Sequence, residues 1–126
     1  MNWLLVACGG AIGASLRYGA GLLLSKPETI FPWATWSINI LGCFMAGIFF
    51  AYTEKYPLLN YETRLFLMVG ILGGFTTVSS FGLESLQLIR QGQLLMALLY
   101  VTSSVIGGVL CLALGFYIFQ MLLQAK

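Results

Sequence analysis

Four apolar runs follow one another with only short polar interruptions, and this spacing constrains the chain more than anything else in it. The runs cover residues 3–24, 32–52, 63–89 and 94–123. A helix needs roughly 20 predominantly apolar residues to cross the hydrocarbon core of a bilayer. Four such crossings use nearly all 126 residues, so residues 1–126 read as a single all-α integral membrane domain of four transmembrane helices. Only 8% of the residues are charged, against about a quarter in a soluble domain. With a mean hydropathy of +0.93, the chain is built for lipid.

The scarcity of polar groups also removes most site chemistry. There is no histidine and no aspartate, and the four acidic residues are dispersed glutamates. Zinc clusters, histidine-based triads and paired-carboxylate hydrolase sites therefore have no raw material, and the chain reads as no enzyme. A net charge of +2 spread over six basic residues is too small and too scattered for a nucleic-acid surface. Cys8, Cys43 and Cys111 all lie in apolar runs, and an odd number of such thiols argues against a disulfide framework. The first run lacks a basic leader and a convincing cleavage site, so it reads as a retained helix.

The interruptions mark the connections. Ser25, Lys26, Pro27 and Glu28 close the first run, Glu54, Lys55, Tyr56 and Pro57 close the second, and Arg90, Gln91, Gly92 and Gln93 separate the third from the fourth. Trp33 and Trp36 fall where an interfacial aromatic belt would sit. The third run is a poor continuous helix, because Gly70, Gly73, Gly74 and Gly82 flank the β-branched and hydroxyl block Thr76, Thr77, Val78, Ser79 and Ser80. A break at membrane depth is tolerated only where protein or a water-filled cavity surrounds it.

Orientation normally follows an excess of basic residues on the cytoplasmic side. Four crossings place Lys55, Arg64 and Lys126 on one side, and Lys26 and Arg90 on the other, with Arg17 leaning towards the latter. Three against three gives no bias. Such a balance allows insertion in both orientations and an antiparallel dimer with its axis in the membrane plane; the alternative is a weak bias fixed by other factors.

Several residues carry candidate chemistry. Arg17 is a charge within a span, where a guanidinium either faces a vestibule and attracts anions or snorkels to the interface as an anchor. Asn39 is the one strongly polar residue of the second run, and its amide either binds helices together or turns its N–H donors to a pore. Carbonyls freed at a break in the third run can coordinate a cation, and the hydroxyls beside them can donate to anions or bond back to the backbone. Tyr100, Ser104 and Gly108 recur at every fourth position and share a helical face, which fits either a polar pathway or a dimer contact. Gly9, Gly13, Gly42, Ala46, Gly107 and Gly108 fit close packing of helices through small residues.

Three stretches carry a family resemblance. They are Gly9-Gly10-Ala11-Ile12-Gly13-Ala14-Ser15-Leu16-Arg17-Tyr18, then Thr35-Trp36-Ser37-Ile38-Asn39-Ile40-Leu41-Gly42, then Gly70-Ile71-Leu72-Gly73-Gly74-Phe75-Thr76-Thr77-Val78-Ser79-Ser80-Phe81. In this order and length the chain resembles the CrcB/Fluc family of fluoride channels. The resemblance implies a dual-topology antiparallel dimer with two narrow pores, passively exporting fluoride across the bacterial cytoplasmic (inner) membrane. It implies a structural sodium ion (Na+) at the dimer axis, held by backbone carbonyls that map onto Gly73 and Thr76. It also places Asn39, Ser79, Ser80, Phe81, Tyr100 and Ser104 along the fluoride path, with the positive edge of a phenylalanine ring facing the ion.

One position departs from that pattern. The family has two phenylalanines three residues apart, where this chain has Val78 and Phe81. A homodimer remains the leading reading, and a heterodimer in which a partner supplies the missing ring is the alternative. Two rivals stand further off. A small dual-topology multidrug exporter needs a mid-membrane carboxylate, and the only acid between residues 3 and 52 is Glu28 in a loop, while Glu84 lies towards the end of the third run. A non-transporting subunit would simply pack against another membrane protein.

Overall fold

The computed structural model describes residues 1–58 and 61–125; Lys126, which enters the charge balance above, lies outside the described residues. Every element among the described residues is helical. Helix α1 is Asn2–Leu24 and α2 is Trp33–Lys55. The third span has two limbs. The first, α3 (61–75), runs through a helical turn at Tyr61–Arg64, a π-helical segment at Leu65–Leu72 and a last turn at Gly73–Phe75. The second, α4, is Val78–Arg90, and the final helix α5 is Leu94–Gln124. Among the described residues, three spans are long and apolar enough to cross a membrane: Trp33–Lys55, Tyr61–Arg90 and Leu94–Gln124. At 23 residues α1 equals α2 in length, but Arg17 and its five glycines dilute its hydropathy.

The packing inverts that of a soluble protein. Large apolar side chains point outward, with Trp3 89% and Leu95 72% exposed, while glycine lets backbones meet inside, as expected where lipid removes any hydrophobic drive between helices. Gly9 and Gly13 of α1 share one face with four-residue spacing, and so do Gly70 and Gly74 of α3. A methyl group added at Gly9 would stand 2.6 Å from the Phe66 carbonyl oxygen and 2.9 Å from Gly70 Cα; at Gly74 it would stand 2.6 Å from the Gly10 carbonyl oxygen. The α2–α5 seam repeats the device, with Gly47 against the Leu112 carbonyl and Gly115 against the Phe44 carbonyl.

This sharpens the sequence reading in two ways. Gly9, Gly13 and Gly42 do sit at tight contacts, the last against the Thr76 methyl, whereas Gly107 and Gly108 meet only side-chain atoms, at 3.2 Å. The glycines of the third span do not themselves break it. Gly70, Gly73 and Gly74 remain helical, and the chain leaves the helix only at Thr76 (ψ 158°) and Thr77 (φ −149°, ψ 120°). Gly92, with φ of +78°, ends α4. Its N–H reaches the Ile89 carbonyl and that of Gln93 the Leu88 carbonyl, at 3.0 and 2.9 Å, which is a Schellman closure that glycine permits.

Candidate functional site

The break at Thr76 and Thr77 organises the polar groups of the bundle. In an unbroken helix the Thr77 N–H would donate to the Gly73 carbonyl and the Ser80 N–H to the Thr76 carbonyl. Instead the Thr77 N–H donates to Asn39 Oδ1 at 2.9 Å, and Asn39 Nδ2 donates back to the Thr77 carbonyl at 2.9 Å. One side-chain amide thus replaces both backbone partners of an extended residue. The Thr77 hydroxyl then caps α4, accepting from the Ser80 N–H at 3.2 Å, as a threonine N-cap does. Leu72 closes the end of α3 by accepting from both the Thr76 N–H and the Thr76 hydroxyl, each at 3.0 Å.

These diversions release the Gly73 and Thr76 carbonyls from their helical donors. They are oxygen donors of the kind that unwound membrane helices offer to sodium, and Gly73 is exposed. No group of three or more histidine, cysteine or acidic residues able to hold a metal occurs among the described residues. Backbone carbonyls are hard oxygen ligands, a class that suits hard cations.

Two clefts flank the break. A groove of about 440 Å³ is bordered by Asn39, Gly73, Thr76, Val78, Phe81 and Ser104. Ser104 Oγ is buried there without a partner, and Val78 is 82% exposed. A second cleft, of about 350 Å³, brings Arg17 together with Thr35, Thr77 and Ser80. Arg17 Nε is buried and unpartnered. Thr77 borders both clefts and forms the wall between them. Of the residues singled out in the sequence, Asn39, Phe81 and Ser104 are thus brought together, while Ser80 joins Arg17 on the other side. Ser79 is exposed, its hydroxyl 3.2 Å from that of Thr77.

Tyr100 borders neither of these clefts. It is fully buried, packs against Phe81 and Phe31 with ring centroids 5.1 and 5.4 Å away, and donates to Glu84 Oε2 at 2.8 Å. Thr35 donates to the other carboxylate oxygen at 2.8 Å. Glu84 is accordingly the polar hub of α4, tying it to α2 and α5, and the sequence reading had placed it only near the end of the third span. A signal was available: Glu84 is the single acid on this helix. Its partners, 49 and 16 residues away, were not visible as such.

Comparison with known proteins follows the same features. Residues 4–116 match the family model described as CrcB-like protein, Camphor Resistance (CrcB). A protein of Chlorobium phaeobacteroides named fluoride-specific ion channel FluC is 45% identical over 113 residues, covering 90% of this chain and 88% of its own length. Proteins of the same name from Chloroflexus aurantiacus and Flavobacterium psychrophilum are 43% and 40% identical, each covering 90% of this chain and 91% and 92% of their own. With the match running through all three glycine- and hydroxyl-rich stretches and along most of its length, the chain belongs to the CrcB-like family.

Proposed function

We propose that this chain is a subunit of a passive fluoride channel of the bacterial cytoplasmic membrane, with α1 as the fourth crossing, working as an antiparallel dimer with two pores and a structural sodium ion at its axis. The observation that carries the reading is the break itself. It starts α4 in the middle of a span, where the first N–H groups of a helix lack partners within it and present the positive end of its dipole. An anion is favoured at such a place. Relatives alike along most of their length bear the name of fluoride channels, which is the basis for choosing fluoride and for reading the protein as a channel and not an enzyme.

The chemistry asked of the residues is replacement of water around a small anion. Asn39 has one amide hydrogen engaged by Thr77 and keeps a second. Ser104 has an unspent hydroxyl in the same groove. Phe81 offers a ring edge there, and Arg17, with Ser80 in the other cleft, draws anions towards the wall at Thr77. Ser79 and Tyr100 stand beside this route, Tyr100 with its hydroxyl committed to Glu84. The sodium would rest on Gly73 and Thr76 carbonyls from both copies and would supply fixed positive charge at the axis. Balanced basic residues support the antiparallel pairing.

A second reading rests on Val78. It borders the groove beside Phe81 where the family pattern has a ring, so a heterodimer with a non-identical subunit is the alternative assembly. The purified chain in liposomes, followed with a fluoride electrode, tests both. The homodimer releases fluoride while chloride stays inside, and Val78→Phe accelerates that release. Efflux that appears only after co-reconstitution with a second family member assigns the heterodimer, and equal leakage of both halides defeats the channel reading.

A further inference from the structure

A third groove, of about 300 Å³, lies along α3 beyond the groove at the break, towards the end of α3 that carries Arg64, and plays no part in the proposed ion path. Its walls are apolar, with Ile48 and Phe49 from α2, Leu67 and Met68 from α3 and Phe119 from α5, and Arg64 closes one end. Only Met68 also borders the groove at the break. Arg64 stands in the first turn of the third span, level with the end of α2. Tyr52 and Tyr56 at that end, and Tyr61 in the same turn as Arg64, are exposed, as in the headgroup zone of a membrane protein. The other cation near that end, Lys55, is already committed to the Leu123 carbonyl at 2.7 Å. Arg64 is held loosely: Nη2 reaches the Thr53 and Pro57 carbonyls at 3.4 and 3.5 Å, outside good hydrogen-bond distance, and its buried Nε has no partner.

We propose that this groove binds one anionic phospholipid per chain, with the phosphate on Arg64 and the upper part of an acyl chain along Ile48, Leu67, Met68 and Phe119. The guanidinium is suited to the task because its fork matches phosphate oxygens in a bidentate way. The groove has the length for it. Arg64 and Met68 stand four residues apart, about one helical turn, so the groove runs from headgroup level towards hydrocarbon. Basic pockets between spans are a recognised site for anionic headgroups. The apolar walls select a lipid over a free anion, since a dissolved phosphate gains nothing from Phe49 or Phe119.

The test uses the full chain, in nanodiscs containing equal phosphatidylglycerol and phosphatidylethanolamine, with native mass spectrometry counting the lipids retained. The wild-type chain retains phosphatidylglycerol in preference, and Arg64→Gln lowers that retention by about fivefold, the factor that one basic side chain near an anionic lipid surface contributes. Arg64→Lys preserves most of it, and Leu67→Trp, which fills the groove and leaves Arg64 in place, removes it. Equal retention of the two lipids, or retention unchanged in both Arg64→Gln and Leu67→Trp, overturns the proposal. So does displacement of the lipid by millimolar inorganic phosphate, which assigns the site to a free anion. A shift from dimer to monomer in Arg64→Gln with no change in bound lipid overturns it too, because the groove then belongs to a second copy. Fluoride efflux is a separate readout, so this site and the channel fail independently.

Discussion

Residues 61–75 and Val78–Arg90 belong to one crossing, yet they are attached to the bundle by opposite means. The first limb lies on α1 through bare backbone, glycine against glycine. The second limb hangs from α2 and α5 by side-chain hydrogen bonds, Thr35 and Tyr100 both donating to Glu84. Between them a single amide, Asn39, holds the extended residue Thr77. The contrast shows two ways of holding one span in place. Close backbone approach needs no polar atom, whereas hydrogen bonds admit carboxylate and hydroxyl groups between the helices.

Substitutions in the two limbs separate these means. The largest effect belongs to the glycine seam. Gly13→Leu drives a side chain into the Ile71 carbonyl and the Phe75 N–H, neither of which can move without moving the helix; overpacking of this kind costs on the order of 3 kcal/mol, and the protein should elute from a sizing column as aggregate. Next is the joint. Asn39→Ala leaves the Thr77 N–H and carbonyl without partners and costs about 2 kcal/mol at the values measured for hydrogen bonds between membrane helices. Thermal unfolding in detergent should fall accordingly, and liposome efflux should be lost. Asn39→Asp, which keeps the acceptor and loses the donor, should fall between. The smallest belongs to the second limb: Tyr100→Phe removes one of two bonds to Glu84 and costs about 0.6 kcal/mol. A Tyr100→Phe protein less stable than Gly13→Leu would reverse the comparison.

How much of this was legible follows from how local each cause is. Span positions rest on composition within twenty residues, so the runs matched the helices to within two residues, apart from α2, which continues three residues beyond Tyr52 to Lys55. The break was also local, because a β-branched and hydroxyl block disfavours helix wherever it sits. Its position at Thr76 and Thr77, and not at the glycines, was decided from outside the segment, since α1 uses Gly70 and Gly74 as packing surface and Asn39 supplies bonds for Thr77. The same distance hid Glu84. An acid seven residues into the second limb reads as an end charge until Thr35 and Tyr100 are brought to it. The division of the candidate path residues between two clefts was equally invisible, because Ser80 and Phe81 are neighbours in sequence and leave α4 on different faces.

The Asn39 clamp fixes an order of events. Both backbone groups of Thr77 are satisfied by an amide 38 residues upstream, so the position of the kink is fixed only once the second span stands beside the third. At translation speeds of 5–20 residues per second the ribosome delivers Asn39 about 2 to 8 seconds before Thr77. The second span is thus already made when the third arrives, and the bend in the later segment is a fold imposed by the earlier one.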